Sequence, residues 1–154
     1  MKIAGHPIHP LIIHFPTTLL PMHYLLSLLY VCYNDLSFAS AGFYCLVAGS
    51  TAGAVAMITG LIDALKIPKM NKAALGTAVY HGFLNGSIIA LFIFITYKDW
   101  RSMPVYHMPG TGRIIFEAVL LLLLFIGNYL GGKLIYQHHI GIQIKKTKDG
   151  NPDS

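Results

Sequence analysis

Four long apolar stretches limit what this chain can fold into more than anything else in it. They occupy about residues 10–33, 38–65, 73–97 and 112–137 of the 154. Each is longer than the roughly 20 residues a helix needs to cross a ~30 Å hydrocarbon core. No water satisfies a backbone N–H or C=O there, so only helices and closed barrels span a membrane. The roughly ten-residue alternating segments of barrel strands are missing. Charged residues make up 11% of the chain, against about 25% in soluble domains. That is too few to solvate a globule. The connections, near residues 34–37, 66–72 and 98–111, are short. The expected fold is therefore all-α, an integral membrane four-helix up-down bundle over residues 1–143. Residues 144–154 form a polar tail expected to be disordered.

The net charge of +5 is explained by topology rather than by nucleic acid. An even number of crossings puts the N-terminus, the second connection and the C-terminus on one side. That side holds Lys2, Lys66, Lys69, Lys72, Lys133, Lys145, Lys146 and Lys148, against Lys98, Arg101 and Arg113 on the other. The positive-inside rule then places both termini in the cytoplasm, with the protein in a bacterial inner membrane. The first stretch runs on past the length of a signal-peptide core without a small-residue cleavage site, so it reads as a retained helix. Cys32 and Cys45 form no CxxC and read as inert buried thiols, a disulfide being the alternative.

Small residues at three- and four-residue spacing mark close helix contacts: Gly49, Gly53, Ala56 and Gly60, then Gly82 with Gly86, and Gly127 with Gly131. Pro16 predicts a kink about one turn from His14. Asp35 or Ser37 can cap the second helix. Asn85 and Asn128 are expected to hydrogen-bond between helices, and Glu117 to be neutral and bonded to a neighbouring helix or to carry protons.

The unusual polar feature is histidine. Six of eight can be brought to one side of the membrane: His6, His9 and His14 in GHPIHPLIIHFP, His81 in the third stretch, and His138 with His139 at the end of the fourth. An imidazole near hydrocarbon is costly unless it is bound or hydrated, so the cluster is a functional hypothesis. On an ideal helix His6 and His9 lie about 60° apart and His6 and His14 about 80° apart. The residue before a proline avoids the α region, so GHPIHP is expected to form an extended or turning cap. His14 and His81 enter from the same side at depths differing by roughly 4–6 Å. Facing imidazoles at similar depth suit the two axial positions of a haem. They also suit a transition metal held with His9, His138 or Asp63, with Asp63 as ligand or as orienting acceptor. Lys72 and Lys69 are candidates to pair with haem propionates. His9 and His23, ~21 Å apart along a helix, would suit two stacked haems, but no other histidine of the later stretches lies at the depth of His23. No nucleotide-binding, zinc-protease or serine-hydrolase motif is present, and no CxxCH, so any haem would be non-covalent b type.

The runs GHPIHPLIIHFP, TGLIDALKIP, AVYHGFLN and YLGGKLIYQHHIGI occur in an order that resembles a prokaryotic family of small membrane proteins of unknown function. That family is distinguished by a Gly-His-Pro-x-His-Pro signature, and the resemblance covers about residues 5–142. The family is in turn distantly similar to transmembrane b-type cytochromes, and its members often occur near redox proteins. The resemblance implies attention to His6, His9, His14, Asp63, His81 and one of the last histidines. The chain departs from the pattern in the doublet His138-His139, where a single histidine followed by glycine is usual.

The expected function is that of a b-type haem protein passing electrons between a quinone and a partner redox protein, with the membrane electron-transfer subunit of an oxidoreductase as one form it could take. His14 and His81 are the expected axial ligands, with His6, His9 and His139 as alternates or as second-layer groups. The alternatives are a membrane protein binding zinc, copper or iron through the same cluster, and a small structural subunit.

Overall fold

A computed structural model describes residues 2–3, 6–65, 67 and 71–137, with side chains from residue 8 onward. Lys66, Lys69, His138, His139 and the C-terminal tail lie outside the described residues, as does the side chain of His6. A two-residue antiparallel ribbon, β1 (Lys2–Ile3) with β2 (His6–Pro7), precedes five helices: α1 (Ile8–Ile12), α2 (His14–Tyr33), α3 (Leu36–Ala64), α4 (Lys72–Ser102) and α5 (Thr111–Tyr136). Four spans, Ile8–Tyr33, Leu36–Ala64, Lys72–Ser102 and Thr111–Tyr136, are long and apolar enough to cross a membrane. They form the expected up-down bundle. Consecutive helices pack on each other, α5 returns to α2, and α1 lies against α3.

The N-terminal entry differs from the expected one. Only His6–Pro7 is extended, and His9 and Pro10 are already helical. The interruption falls at Ile13, between α1 and α2, rather than as a kink at Pro16. Proline explains both. Pro10 and Pro16 each sit in the first turn of a helix, where a missing N–H has no intrahelical partner to lose. The interruption is slight: Ile13 keeps α-region dihedrals, its N–H bonds the His9 carbonyl and its carbonyl accepts from Thr17, and Pro21 lies further inside α2.

At the other end of α2, Asn34 adopts the left-handed conformation (φ 51°), and its N–H bonds the Tyr30 carbonyl. Asp35 rather than Ser37 caps α3, accepting from the Ser37 N–H at 2.8 Å. That bond holds the Asp35 carboxyl below its ordinary range. The cap's contribution is therefore present above the unfolded carboxyl pKa and lost as pH falls through the lowered one. The third connection is shorter than the sequence suggests, since α4 runs on to Ser102 and makes Lys98, Asp99 and Trp100 helical.

The central core is Leu20 and Leu46 with Ile88, Ile89, Phe92 and Ile95 of α4 and Leu120, Leu121 and Leu124 of α5. A smaller cluster, Ile67, Ala74 and Ala78, closes the end near the α3–α4 connection. Glycine lets the helices meet. A Cβ on Gly49 would stand 2.9 Å from Leu20 Cδ2, and one on Gly53 would stand 2.5 Å from Ile89 Cδ1. Gly82 has nothing within 4 Å, so the Gly82–Gly86 spacing is not the contact the pattern suggested. Outward-facing Leu25, Ile58, Phe83, Phe94, Leu122 and Ile126 are exposed. This apolar coat would promote aggregation in water and matches a lipid surface.

Gly53→Leu should lower stability by ~1–3 kcal/mol through overpacking against Ile89. Gly82→Leu should stay within about 0.5 kcal/mol of the parent. Thermal unfolding in detergent micelles measures both.

Candidate functional site

Apart from the Ser50–Thr96 hydrogen bond at 2.9 Å, polar groups inside the bundle gather toward its two ends. At the end that carries the N-terminus, His9 of α1 and His81 of α4 meet. Their ring centres are 6.2 Å apart and the rings are nearly perpendicular, at 87°. The Nδ1 of His9 lies 2.9 Å from the Ala56 carbonyl, and that of His81 lies 2.9 Å from the Gly127 carbonyl. A carbonyl only accepts, so in each ring Nδ1 carries the proton and donates it. Nε2 is then left with its lone pair, which is the form in which imidazole binds a metal.

Small residues make these contacts possible. A Cβ on Gly60 would come 2.9 Å from His9 Cε1, and one on Gly131 would come 2.8 Å from His81 Cε1. A Cβ on Gly127 would collide with the Asn85 amide. Each ring lies in a cradle that a methyl group would fill. Thr59, bonded to the Ala56 carbonyl at 3.0 Å, stands beside His9, and Asn85 donates to the His81 carbonyl at 2.9 Å. Asn85 thus bonds within its own turn and not between helices, as the sequence suggested. Asn128 does bond between helices, reaching Thr17 of α2 at 3.3 Å. Asp63, half-buried at the end of α3, acts electrostatically on His9.

His14 is not part of this meeting. It is exposed, whereas His9 is half-buried and holds the position beside His81 expected for His14. Helix geometry explains the exchange: five residues separate His9 from His14, about 140° around the axis, so with α1 lying on α3 His9 turns inward and His14 outward. Lys72 is the exposed first residue of α4, nine positions before His81.

The opposite end carries a network that residue-by-residue reading of the sequence did not join. Arg113 grips Asp99 through two nitrogens, each at 2.7 Å, and donates from Nε to Glu117 at 2.7 Å. Glu117 is fully buried, and its second oxygen lies 3.5 Å from His23 Nε2. Glu117 is therefore an arginine-paired carboxylate with its partner on its own helix, not the neutral group expected. His23 is the satisfied core histidine at one nitrogen only: its Nδ1 donates to the Gly42 carbonyl at 2.9 Å. The i,i+4 spacing of Arg113 and Glu117 was legible. The Asp99 partnership was not, because it crosses the α4–α5 connection. Cys32 is exposed and Cys45 half-buried, both free thiols, so Cys32 is not the buried thiol expected.

Among the described residues no group of three or more His, Cys, Asp or Glu is placed to hold a metal ion. The sequence model of one family, DUF2231, described as a predicted membrane protein, matches residues 5–144. No curated protein and no solved structure matches the chain.

Arg113→Ala should destabilise the protein by ~3–5 kcal/mol, because it leaves the buried Glu117 charge uncompensated. Replacing both partners together, Arg113→Leu with Glu117→Leu, should recover most of that loss in the same thermal assay.

Proposed function

Because the chain belongs to that family of membrane proteins, its setting is a bilayer, and we propose that it is a redox protein holding b-type haem between His9 and His81. The 6.2 Å spacing of the two rings carries this reading. Two metal–nitrogen bonds of ~2.0–2.1 Å, with about 1.1 Å from each nitrogen to its ring centre, span roughly 6 Å. Both imidazoles are held through Nδ1 in the tautomer that leaves Nε2 able to bind. Their glycine cradles add further support. Two imidazoles meet the axial demand of a haem, since its other four ligands are porphyrin nitrogens.

Bound haem iron supplies one-electron transfer. The chain's own part is to orient the imidazoles, exclude water with Ile8, Ala56 and Ala78, and keep the centre near one membrane face. Electrons would pass between a quinone and a partner redox protein. The eight-to-three distribution of basic residues favours a bacterial inner membrane with both termini, and hence this centre, on the cytoplasmic side.

Asp63 favours a second reading. Its carboxylate acts on His9, which would serve with His81 as a ligand of a single zinc, copper or iron ion, with Asp63 orienting rather than ligating because the three form no metal-holding group.

Protein purified in detergent from haem-replete cells should show the reduced-minus-oxidised spectrum of bis-histidine haem. His9→Ala and His81→Ala should each abolish it, and His14→Ala should retain it. A transition metal found by elemental analysis without a Soret band selects the second reading. Colourless, metal-free, folded protein overturns both.

A further inference from the structure

A cavity of about 510 Å³ opens at the end of the bundle away from His9 and His81, between α2, α3, α4 and α5. The α4–α5 connection is fastened over α2 by the Tyr30 hydroxyl, which donates to the Tyr106 carbonyl at 3.2 Å. Three properties narrow what the cavity can hold. Its volume lies in the range of small-molecule sites, roughly 300–1,000 Å³. Two of its lining residues, Phe94 of α4 and Phe116 of α5, are also exposed on the apolar coat (59% and 44%), so it communicates with the space that lipid fills. Its wall includes His23, 3% exposed, whose Nε2 makes no hydrogen bond among the described residues.

The third property is chemically specific. His23 Nδ1 spends its proton on the Gly42 carbonyl, so in a neutral ring Nε2 presents a lone pair. That lone pair faces Glu117 Oε2 at 3.5 Å, itself without a hydrogen bond. Two acceptors opposed at that distance repel unless a proton or an outside donor joins them. The contact is too long for a full direct hydrogen bond. Unmatched polar atoms this deeply buried are costly. A lipid acyl chain entering between Phe94 and Phe116 would leave the cost in place. An inorganic anion would find Arg113 already engaged by Asp99 and Glu117.

We propose that this cavity binds the head group of a bilayer-soluble quinone, with His23 Nε2 as its hydrogen-bonding partner. The His23–Glu117 pair serves both redox forms. Holding a shared proton, it donates to a quinone carbonyl; without one, it accepts from a quinol hydroxyl. Phe43, Phe94 and Phe116 face the ring, and the tail leaves toward lipid. The choice of a quinone rests on the electron-transfer reading above, whereas the demand for a polar head on an apolar body comes from the cavity itself.

Trp100, the chain's one tryptophan, reports on the site, since its ring centre is 6.4 Å from that of Phe43 on the cavity wall. Full-length protein in detergent micelles is titrated with a short-alkyl benzoquinone while Trp100 fluorescence is followed. Saturable quenching is expected. His23→Gln should weaken the half-saturation concentration about tenfold, the loss of one hydrogen bond. Ala39→Leu, which adds bulk to the cavity wall on α3, should weaken it as well. Thermal unfolding of each variant reports whether it folds, and if His23→Gln does not, Ala39→Leu carries the test. Quenching that scales only with the quinone-to-detergent ratio, and is equal in parent and variants, overturns the site. Absorption spectra of the same samples keep the two ideas apart. Saturable quenching in metal-free protein retains the cavity and removes the haem, and a haem spectrum with partition-only quenching does the reverse.

Discussion

In hydrocarbon a polar group has no partner except what the protein provides, and one interaction answers that demand three times here. His9, His23 and His81 each donate from Nδ1 to a backbone carbonyl of a small residue: Ala56, Gly42 and Gly127. These carbonyls already serve their own helices, and a second donor reaches them only where little or no side chain stands in the way. The small residues of α3 and α5 thus do two things at once. They let helices approach, as Gly49 does for Leu20 and Gly53 for Ile89, and they open backbone acceptors to imidazole. With each Nδ1 proton so used, every one of these rings keeps its lone pair on Nε2. Whatever chemistry the protein performs begins from that arrangement.

The apolar layer of Leu20, Leu46, Ile88, Phe92 and Leu124 divides the interior into two polar regions. One holds the imidazole pair, with Asp63 beside it and no arginine. The other pairs two carboxylates with one guanidinium and places a histidine at the edge of a cavity. Different electrostatics suit different tasks. The first region presents neutral lone pairs, as metal ligation requires. The second is a charged network with room for one more proton, as hydrogen bonding to a polar head group requires. Arg113 holds the second region together, because without it Glu117 would be a bare charge in a place with no water.

Much of this was legible beforehand, and the reasons differ by residue. Helix number and approximate bounds followed from the bilayer's thickness, which predominantly apolar stretches of 24 or more residues match only as helices. Asp35 was readable as a cap because capping is local. The glycines of α3 were readable as a packing face because the period of a helix is fixed. The identity of the histidine facing His81 was not. The helical wheel sets His9 and His14 about 140° apart, so only one of them can face inward, and which one does depends on how α1 is rotated against α3. Asp99 was assigned to a connection, and its helical placement beside Arg113 depends on where α4 ends against α5.

By itself the sequence determined that this chain lives in a membrane, as four helices with short connections, and that histidine is its unusual polar resource. Those conclusions depend on solvation and chain length, which act on each segment separately. Tertiary structure alone decided which imidazoles meet, which carbonyl each engages, and that Arg113 joins Asp99 to Glu117 beneath a cavity. Apart from the i,i+4 pair of Arg113 and Glu117, those contacts join positions 14 to 72 residues apart, and they depend on the rotation and depth at which glycine-faced helices lock together.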